Sequence, residues 1–517
     1  MFPPLFFTQR INQEKLSMNK TSRWTSIILA SCFITVKAYS VPTKSISESP
    51  QTQGTPQTQE ENIRGFSMQH IVNGTIVDKI QVKLEPWVLL QTLKNTLSTL
   101  VERESKPFQV KTIVELLVSP DFQKEVGQFP PLVIKTQVDS SSHGIGELLL
   151  PQFKSHGTPS LSWKDLTGQL TFTNKFDSIT MALKGGELKF EAENSVVFSA
   201  HPFTFQGSFD ADLIPTQMNV IWPGLNFLSE GTEATVKEVG LDFQVNKTPI
   251  GVEISKGTFK VKNIGITSDD FKVMLEGLKF VGDGGLEESL VHYLIQTQID
   301  RLIINDATDN NLDITYGSNL EVRRLDAEAL RDLQKTAREM QKQVQNGLIN
   351  QEMLGIVLFG KLVELSPKFL INSPEISLSP FSLKSSEGTL QGQFTVGIEG
   401  KKATNLKEAN DWLRAMWAKT EINIGKGLLD MLMLKYEYDT FQDKKHDRKL
   451  NKSEEKQAKL NAQKRIKTYL DKKWLVLSGK DYQLTAHFKE GKLILNGQDI
   501  PLPFLAPSEG KHKTTVH

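Results

Sequence analysis

Between Pro130 and Tyr316, apolar residues recur at every second position, and that pattern restricts the fold more than any other feature of the chain. Leu170 and Phe172 alternate with Thr171 and Thr173, and Ile179, Met181 and Leu183 follow. Leu241, Phe243 and Val245 repeat the phrase, as do Phe259 and Val261, and Leu312, Ile314 and Tyr316. Successive side chains on a strand point to opposite faces, so the alternation predicts strands with one apolar and one polar face. Glycine and asparagine interrupt the runs at short intervals, which predicts antiparallel neighbours. Gly185-Gly186 reads as a hairpin turn between Leu183 and Leu188, and Glu490-Gly491 as another between Phe488 and Leu493.

Elsewhere the period lengthens. Trp87, Leu90, Leu93, Leu97 and Leu100 fall three or four apart behind Pro86, which predicts a helix. A second apolar helix is expected from Ile113 to Phe122, interrupted near Pro120. The stretch from Leu325 to Leu365 is helical, with Leu330, Leu333, Ala337, Met340 and Val344 as its stripe, Asp326 as a cap and Gly347 as a stop. The more apolar helix from Leu354 to Leu365 is expected to end before Pro367. Strands return at Ile376 to Leu378 and at Phe394, Val396 and Ile398, and a helix packing Trp417, Leu428, Met431 and Leu432 is expected from Trp412 to Leu434.

The expected fold class is therefore α+β: a large twisted antiparallel sheet with long helices packed against its apolar face. The expected division is an N-terminal extension and signal peptide over 1–40, a disordered linker over 41–64 and a helical region over 65–129. A β-rich domain follows over 130–505, with inserted helices at 325–365 and 404–473, then a disordered tail over 506–517.

A formal charge of +1 over 517 residues creates no global field toward nucleic acid. The single cysteine, Cys32, excludes an intramolecular disulfide and a cysteine metal cluster. Compartment is read instead from Met18 to Val41. Lys20 and Arg23 precede the apolar stretch Ile27 to Val36, and small residues follow, which is the order of a secretory signal with cleavage after Ala38 or Ser40. Translation is expected to begin at Met18. Leu29-Ala30-Ser31-Cys32 also has the form of a bacterial lipobox, which would lipidate Cys32.

The chain contains no phosphate loop, paired-glycine nucleotide fingerprint, His-Glu-x-x-His helix or Gly-x-Ser-x-Gly elbow. His143 and His156, each followed by glycine, suit turns better than metal ligation. Gly282-Asp283-Gly284-Gly285, with Asp269, Asp270 and Glu287 nearby, lacks calcium-loop spacing and reads as a solvated β-turn. Asp306, Asp309 and Asp313 define no cage. No catalytic, metal or cofactor residue is expected. The most polarised segment carries Lys444, Lys445, Arg448, Lys449, Lys464, Arg465 and Lys467, a candidate contact for an anionic surface beside the plainer reading of a solvated helix.

Two segments carry a family resemblance. They are Leu370-Ile371-Asn372-Ser373-Pro374-Glu375-Ile376-Ser377-Leu378-Ser379-Pro380 and the closing Gly491-Lys492-Leu493-Ile494-Leu495-Asn496-Gly497. With the order of parts around them, they make the chain resemble the YdgA family of Gram-negative bacteria, a family of unknown function (DUF945), over roughly Pro130 to Pro503. The resemblance implies an envelope location and self-association, and it transfers no catalytic residue.

The expectation is a non-enzymatic periplasmic protein that binds a lipid or protein partner in envelope maintenance, without nucleic acid, touching the membrane peripherally or forming a homo-oligomer. A hydrolase whose carboxylates converge only in three dimensions and a self-associating scaffold are the alternatives. Expression from Met18 in a Gram-negative host should yield an intact mass starting at Tyr39 or Val41. A mass starting at an acylated Cys32 would replace cleavage with lipid anchoring, and a start at Met18 would refute processing.

Overall fold

The computed structural model describes residues 63–502, apart from 83–85, 158, 174–175, 193–195, 230, 270, 307–310, 346–347, 404–408 and 444–450. Twenty-five strands join one antiparallel sheet, and eight helices accompany it among the described residues. This is an α+β architecture with a large open sheet.

The sheet begins with β1 (Ile63–Val72), flanked by β2 (Thr75–Val82) and β3 (Phe108–Val118), and continues through β4 (Leu132–Val138) to β5 (Gly144–Leu150). β5 pairs with β8 (Leu166–Phe172), which leads through β9 (Ser178–Gly185) and β12 (Phe203–Asp210) to β13 (Pro215–Ser229). The far half of β13 carries a side branch. There it pairs with β11 (Val197–Ala200), and β10 (Leu188–Glu191), β7 (Ser160–Trp163) and β6 (Phe153–Lys154) follow in turn.

Beyond β13 the chain is a meander of long strands, each hydrogen-bonded to the next. They are β14 (Thr232–Lys247), β15 (Glu253–Thr267), β16 (Phe271–Glu287), β17 (Leu290–Asp306) and β18 (Asn311–Asp326). β19 (Glu375–Ser385), β20 (Gly388–Ile398), β21 (Met416–Gly425) and β23 (Asp481–Lys489) extend it. β22 (Val476–Ser478) and β24 (Lys492–Leu495) share the outer edge of β23, and β25 (Gln498–Ile500) closes the series on β24. The closing turns follow the sequence expectation. Glu490 and Gly491 have φ of 53° and 76°, and Asn496 and Gly497 have 46° and 78°, the positive pair that a tight hairpin of this hand requires.

The helices form three groups. α1 (Pro86–Arg103), followed later by the short α2 (Pro120–Val126), lies at the N-terminal end. Leu93, Leu97, Leu100 and Val101 of α1 bury themselves against Val110, Ile134, Val138, Leu170 and Ile179 of the sheet. α3 (Ala327–Gln345) and α4 (Gln351–Ile371) form a pair after β18. Small α5 (Gly400–Ala403) and α6 (Ala409–Ala415) follow, and then α7 (Lys426–Asp443) and α8 (Lys452–Asp471) pack together. Leu428 and Leu429 of α7 and Ile466 of α8 cover Ile424 and Tyr482.

Several expectations are corrected. Ile113 to Val118 is strand, because Phe108, Val110, Thr112 and Val114 point inward at every second position and the run pairs with β1 and β4; only Pro120 to Phe122 is helical, within α2. That apolar run fits both periods, and pairing on both edges decided between them. Residues 65–129 thus contain three strands as well as α1 and α2, and the sheet runs unbroken past residue 130. Gly185-Gly186 makes no hairpin, since β9 pairs with β8 and β12 while β10 pairs with β7 and β11. Gly282 to Gly285 lie inside β16, not in a turn. Gly284 stands opposite Tyr293 and Gly285 opposite His292, and each ring occupies the space a Cβ would need. The expected helix from Trp412 to Leu434 is interrupted by β21, whose Ala418, Thr420, Ile422 and Ile424 also fit a period of two. Finally, α4 runs through Pro367 to Ile371. The Ser366 hydroxyl donates to the Val363 carbonyl at 2.7 Å, supplying the partner that Pro367, without an N–H, cannot.

α3 is fixed across the strand ends by polar contacts. Asp326 caps it, accepting from the Ala329 amide at 2.8 Å, as the sequence predicts. The Gln334 side chain accepts from the Glu253 amide at 3.0 Å and donates to its carbonyl at 2.8 Å. Arg338 bonds Asp210 at 3.1 Å and also Glu253, clasping the helix to two turns of the sheet. Replacing Arg338 with Met removes charge-assisted bonds from a half-buried site, a loss of about 1.4 kcal/mol or roughly tenfold in a local equilibrium. Hydrogen exchange should show α3 amides opening about tenfold more often in Arg338→Met, with β4 unchanged.

Candidate functional site

The register of the long strands sorts their side chains into two faces. Val220, Leu241, Phe259 and Phe280 stand opposite one another in order across four strands, continued by Thr297, Ser318 and Phe381. The neighbouring row on that face reads Met218, Phe243, Gly257, Gly282, Ile295, Leu320, Leu378 and Phe394. The intervening row, on the opposite face, reads Asn219, Asp242, Thr258, Val281, Gln296 and Asn319. One face is thus apolar and the other largely polar, as the alternation predicts.

A crease crosses the long strands. Pro223, Glu238, Lys262 and Gly277 fall at a gap in successive ladders, and Glu238 and Gly277 adopt φ of 51° and 64°. Each ladder skips one residue on both strands and keeps its register, so the apolar positions change parity across the gap. Apolar residues on either side are accordingly three apart: Trp222 and Leu225, Val236 and Val239, Val261 and Ile264, Leu275 and Leu278. Trp222, Leu225 and Phe227 pack on the same cluster with Phe198 and Ala200, so the apolar face continues across the crease.

Among the described residues, that face is covered at both ends and open between them. Following the same rows toward β1 leads to Met181, Leu170, Thr136 and Val110, beneath α1. Toward β23, Tyr316, Leu383, Leu390, Ile424 and Tyr482 stand opposite one another, and the last four pack with α7 and α8. On a third side, α3 packs Ala327 and Leu330 against Val252, Ile254 and Val291 at the strand ends. Between these helices, from β13 to β19, most apolar side chains remain partly exposed. Phe271, Phe280, Ile295, Ile376 and, on β20, Phe394 are exposed by 38–47%. Seven strands spaced ~4.8 Å apart span about 29 Å, and nine residues of rise add about 30 Å along them, so the open area is of order 900 Å². Monomeric soluble proteins usually leave patches of only ~300–600 Å². Beside α1 the face runs into an apolar crevice lined by Leu90, Leu93, Met181, Phe209 and Leu213.

The described residues among those singled out in the sequence do not assemble there. Cys32, Ala38, Ser40, Lys444, Lys445, Arg448 and Lys449 lie outside the described residues. Lys464 and Lys467 are exposed on α8. Arg465 turns inward instead, bonding Glu437 at 2.9 and 2.7 Å with its guanidinium 5.0 Å from the Tyr436 ring. Glu437 is only 4% exposed, so Arg465 compensates a buried charge while its own side chain keeps 39% exposure. His143 lies 3.7 Å from Asp139, both side chains about half exposed. Asp313 holds Arg301 through two bonds on the polar face. No group of three His, Cys, Asp or Glu able to hold a metal occurs among the described residues.

One group was missed in the sequence. His70 is fully buried on the apolar face below α1, its Nδ1 2.9 Å from the Thr112 hydroxyl. Its Nε2 and the hydroxyl of nearby Thr136 have no partner. Burial holds the His70 imidazole below its ordinary value, against the opposing pull of Asp78. Its only sequence signal is its place in the alternation Met68, His70, Val72.

Among known proteins, a family model described as bacterial protein of unknown function (DUF945) matches residues 108–503. No curated protein and no solved structure matches the chain.

The buried imidazole makes stability depend on pH in a defined sense. In the unfolded chain His70 takes up a proton near pH ~6.5, whereas in the folded chain it does so only at lower pH. The folded state is therefore favoured above that range and loses this advantage as pH falls through it. The melting temperature should drop from about pH 7.5 to about 5.5, and by less in His70→Gln. Equal drops in both chains would show that His70 does not carry the effect.

Proposed function

We propose that this chain, which belongs to the DUF945 family of bacterial proteins of unknown function, is a non-enzymatic lipid-binding protein of the cell envelope. Acyl chains lie along the open apolar face of β13 to β19. The observation that carries this reading is an apolar face covered by helices at both ends and bare between them, with five large side chains 38–47% exposed.

The chemistry favours an acyl chain over other occupants. A helix packed on a sheet stands about 10 Å above it. α1 at one end, and α7 with α8 at the other, therefore wall the bare region into a recess. A second sheet laid flat would collide with those walls, whereas slender hydrocarbon fits between them. One leaflet's acyl layer is roughly 15 Å deep, half of the ~30 Å hydrocarbon core, and the recess is wider than that. The central rows carry no charged side chain, so a headgroup would remain at the rim in water. The export pattern over Met18 to Val41 supports the envelope location.

Native mass spectrometry of gently purified full chain should show a lipid-sized adduct. A fluorescent fatty acid should bind, and Phe280→Asp or Ile295→Asp should weaken it at least tenfold, since each puts a charge into the recess. A bare mass together with no binding of the fatty acid would overturn the proposal.

A further inference from the structure

The side of α4 facing away from α3 is apolar where a solvent-facing helix side should be polar. Leu365 and Phe369 are buried, packing with Ala329 and Leu333 of α3. On the outward side Ile356 is exposed by 65%, Phe359 by 68%, Val363 by 55% and Ile371 by 58%. Steps of three and four place Ile356, Phe359, Val363 and Pro367 along one stripe. Lys368 flanks it beside Asp332 of α3, and Lys361 pairs with Glu364. No described helix is long and apolar enough to cross a membrane.

The position of the stripe identifies what covers it. Its C-terminal residue Ile371 is followed five residues later by Ile376, itself 47% exposed at the border of the open sheet face. Ile376 stands on β19 one alternation from Leu378, which is opposite Phe394, 40% exposed. Exposed apolar surface thus leads from α4 toward the recess, and the one charge on the chain between Ile371 and Ile376, Glu375, is held by Arg324 at 3.7 Å. We infer that α4 is an interfacial helix that seats its Ile356, Phe359 and Val363 side in the outer part of a lipid leaflet, beside the entrance to the acyl-binding face. The inference rests on the lipid reading above and adds the membrane contact through which lipid enters.

Bound lipid and membrane contact are separable. The full chain should co-sediment with vesicles of phosphatidylethanolamine and phosphatidylglycerol, and still do so at about 0.5 M salt, because apolar burial is not screened. The double variant Ile356→Glu, Phe359→Glu changes only exposed positions. It should lose vesicle binding at least tenfold, keep its fatty-acid affinity and take up lipid from vesicles more slowly. Phe280→Asp should show the converse, bound to vesicles but weak for the fatty acid. Vesicle binding unchanged in the α4 variant would overturn the inference and leave the acyl-binding reading standing. So would release by salt, or a dimer that becomes a monomer in the variant, since a charged contact or a second copy would then occupy the helix.

Discussion

Everything in this structure depends on a sheet whose apolar face is wider than the described helices cover. Antiparallel sheets normally bury one face and hydrate the other. Here the hydrated face is largely polar as expected, and the apolar face is buried chiefly beneath α1, beneath the α7–α8 pair and at the strand ends beside α3. The strands between them are held by their ladders and by cross-strand side-chain pairs such as Phe259 with Phe280, whose ring centres are 6.3 Å apart. A bare apolar region persists because the adjoining regions are fully packed and the long strands are continuous with them through paired neighbours.

The polar clasps make sense against that background. α3 sits at the turns, so its attachment cannot rely on a broad apolar contact. Gln334 and Arg338 bind backbone and carboxylates of the turns instead, and Ala327, fully buried, brings the first turn of the helix close to the sheet. This leaves α4 with one side to pack and one side free. In the α7–α8 pair, Arg465 and Glu437 meet the same need for compensated charge in a more buried setting. Neither charge pair lies on the open rows, consistent with a surface that discriminates by shape and apolarity.

Family membership places the chain among bacterial proteins without an assigned activity, over a match that spans most of the sheet. The open face and the apolar side of α4 supply a physical account of what such a protein could bind. Both are surfaces, not clusters of chemical groups, and neither leaves a motif in the sequence.

The sequence by itself determined the local elements with clear periods. Leu241, Phe243 and Val245 had to lie on one side of a strand, Leu90 to Leu100 had to form a helix, and Glu490-Gly491 had to turn. It also determined that one face would be apolar, because alternation is a property of neighbouring residues. It misread Ile113 to Val118 and Trp417, where apolar runs satisfy both periods and only pairing partners distant in the chain choose between them. Tertiary structure alone decided which part of the apolar face stays bare. That depends on where α1 and α7–α8 land, at opposite ends of a sheet built from residues hundreds of positions apart. Tertiary structure also turned Arg465 inward and left Ile356 and Phe359 outward, since exposure is fixed by what packs nearby and not by residue type.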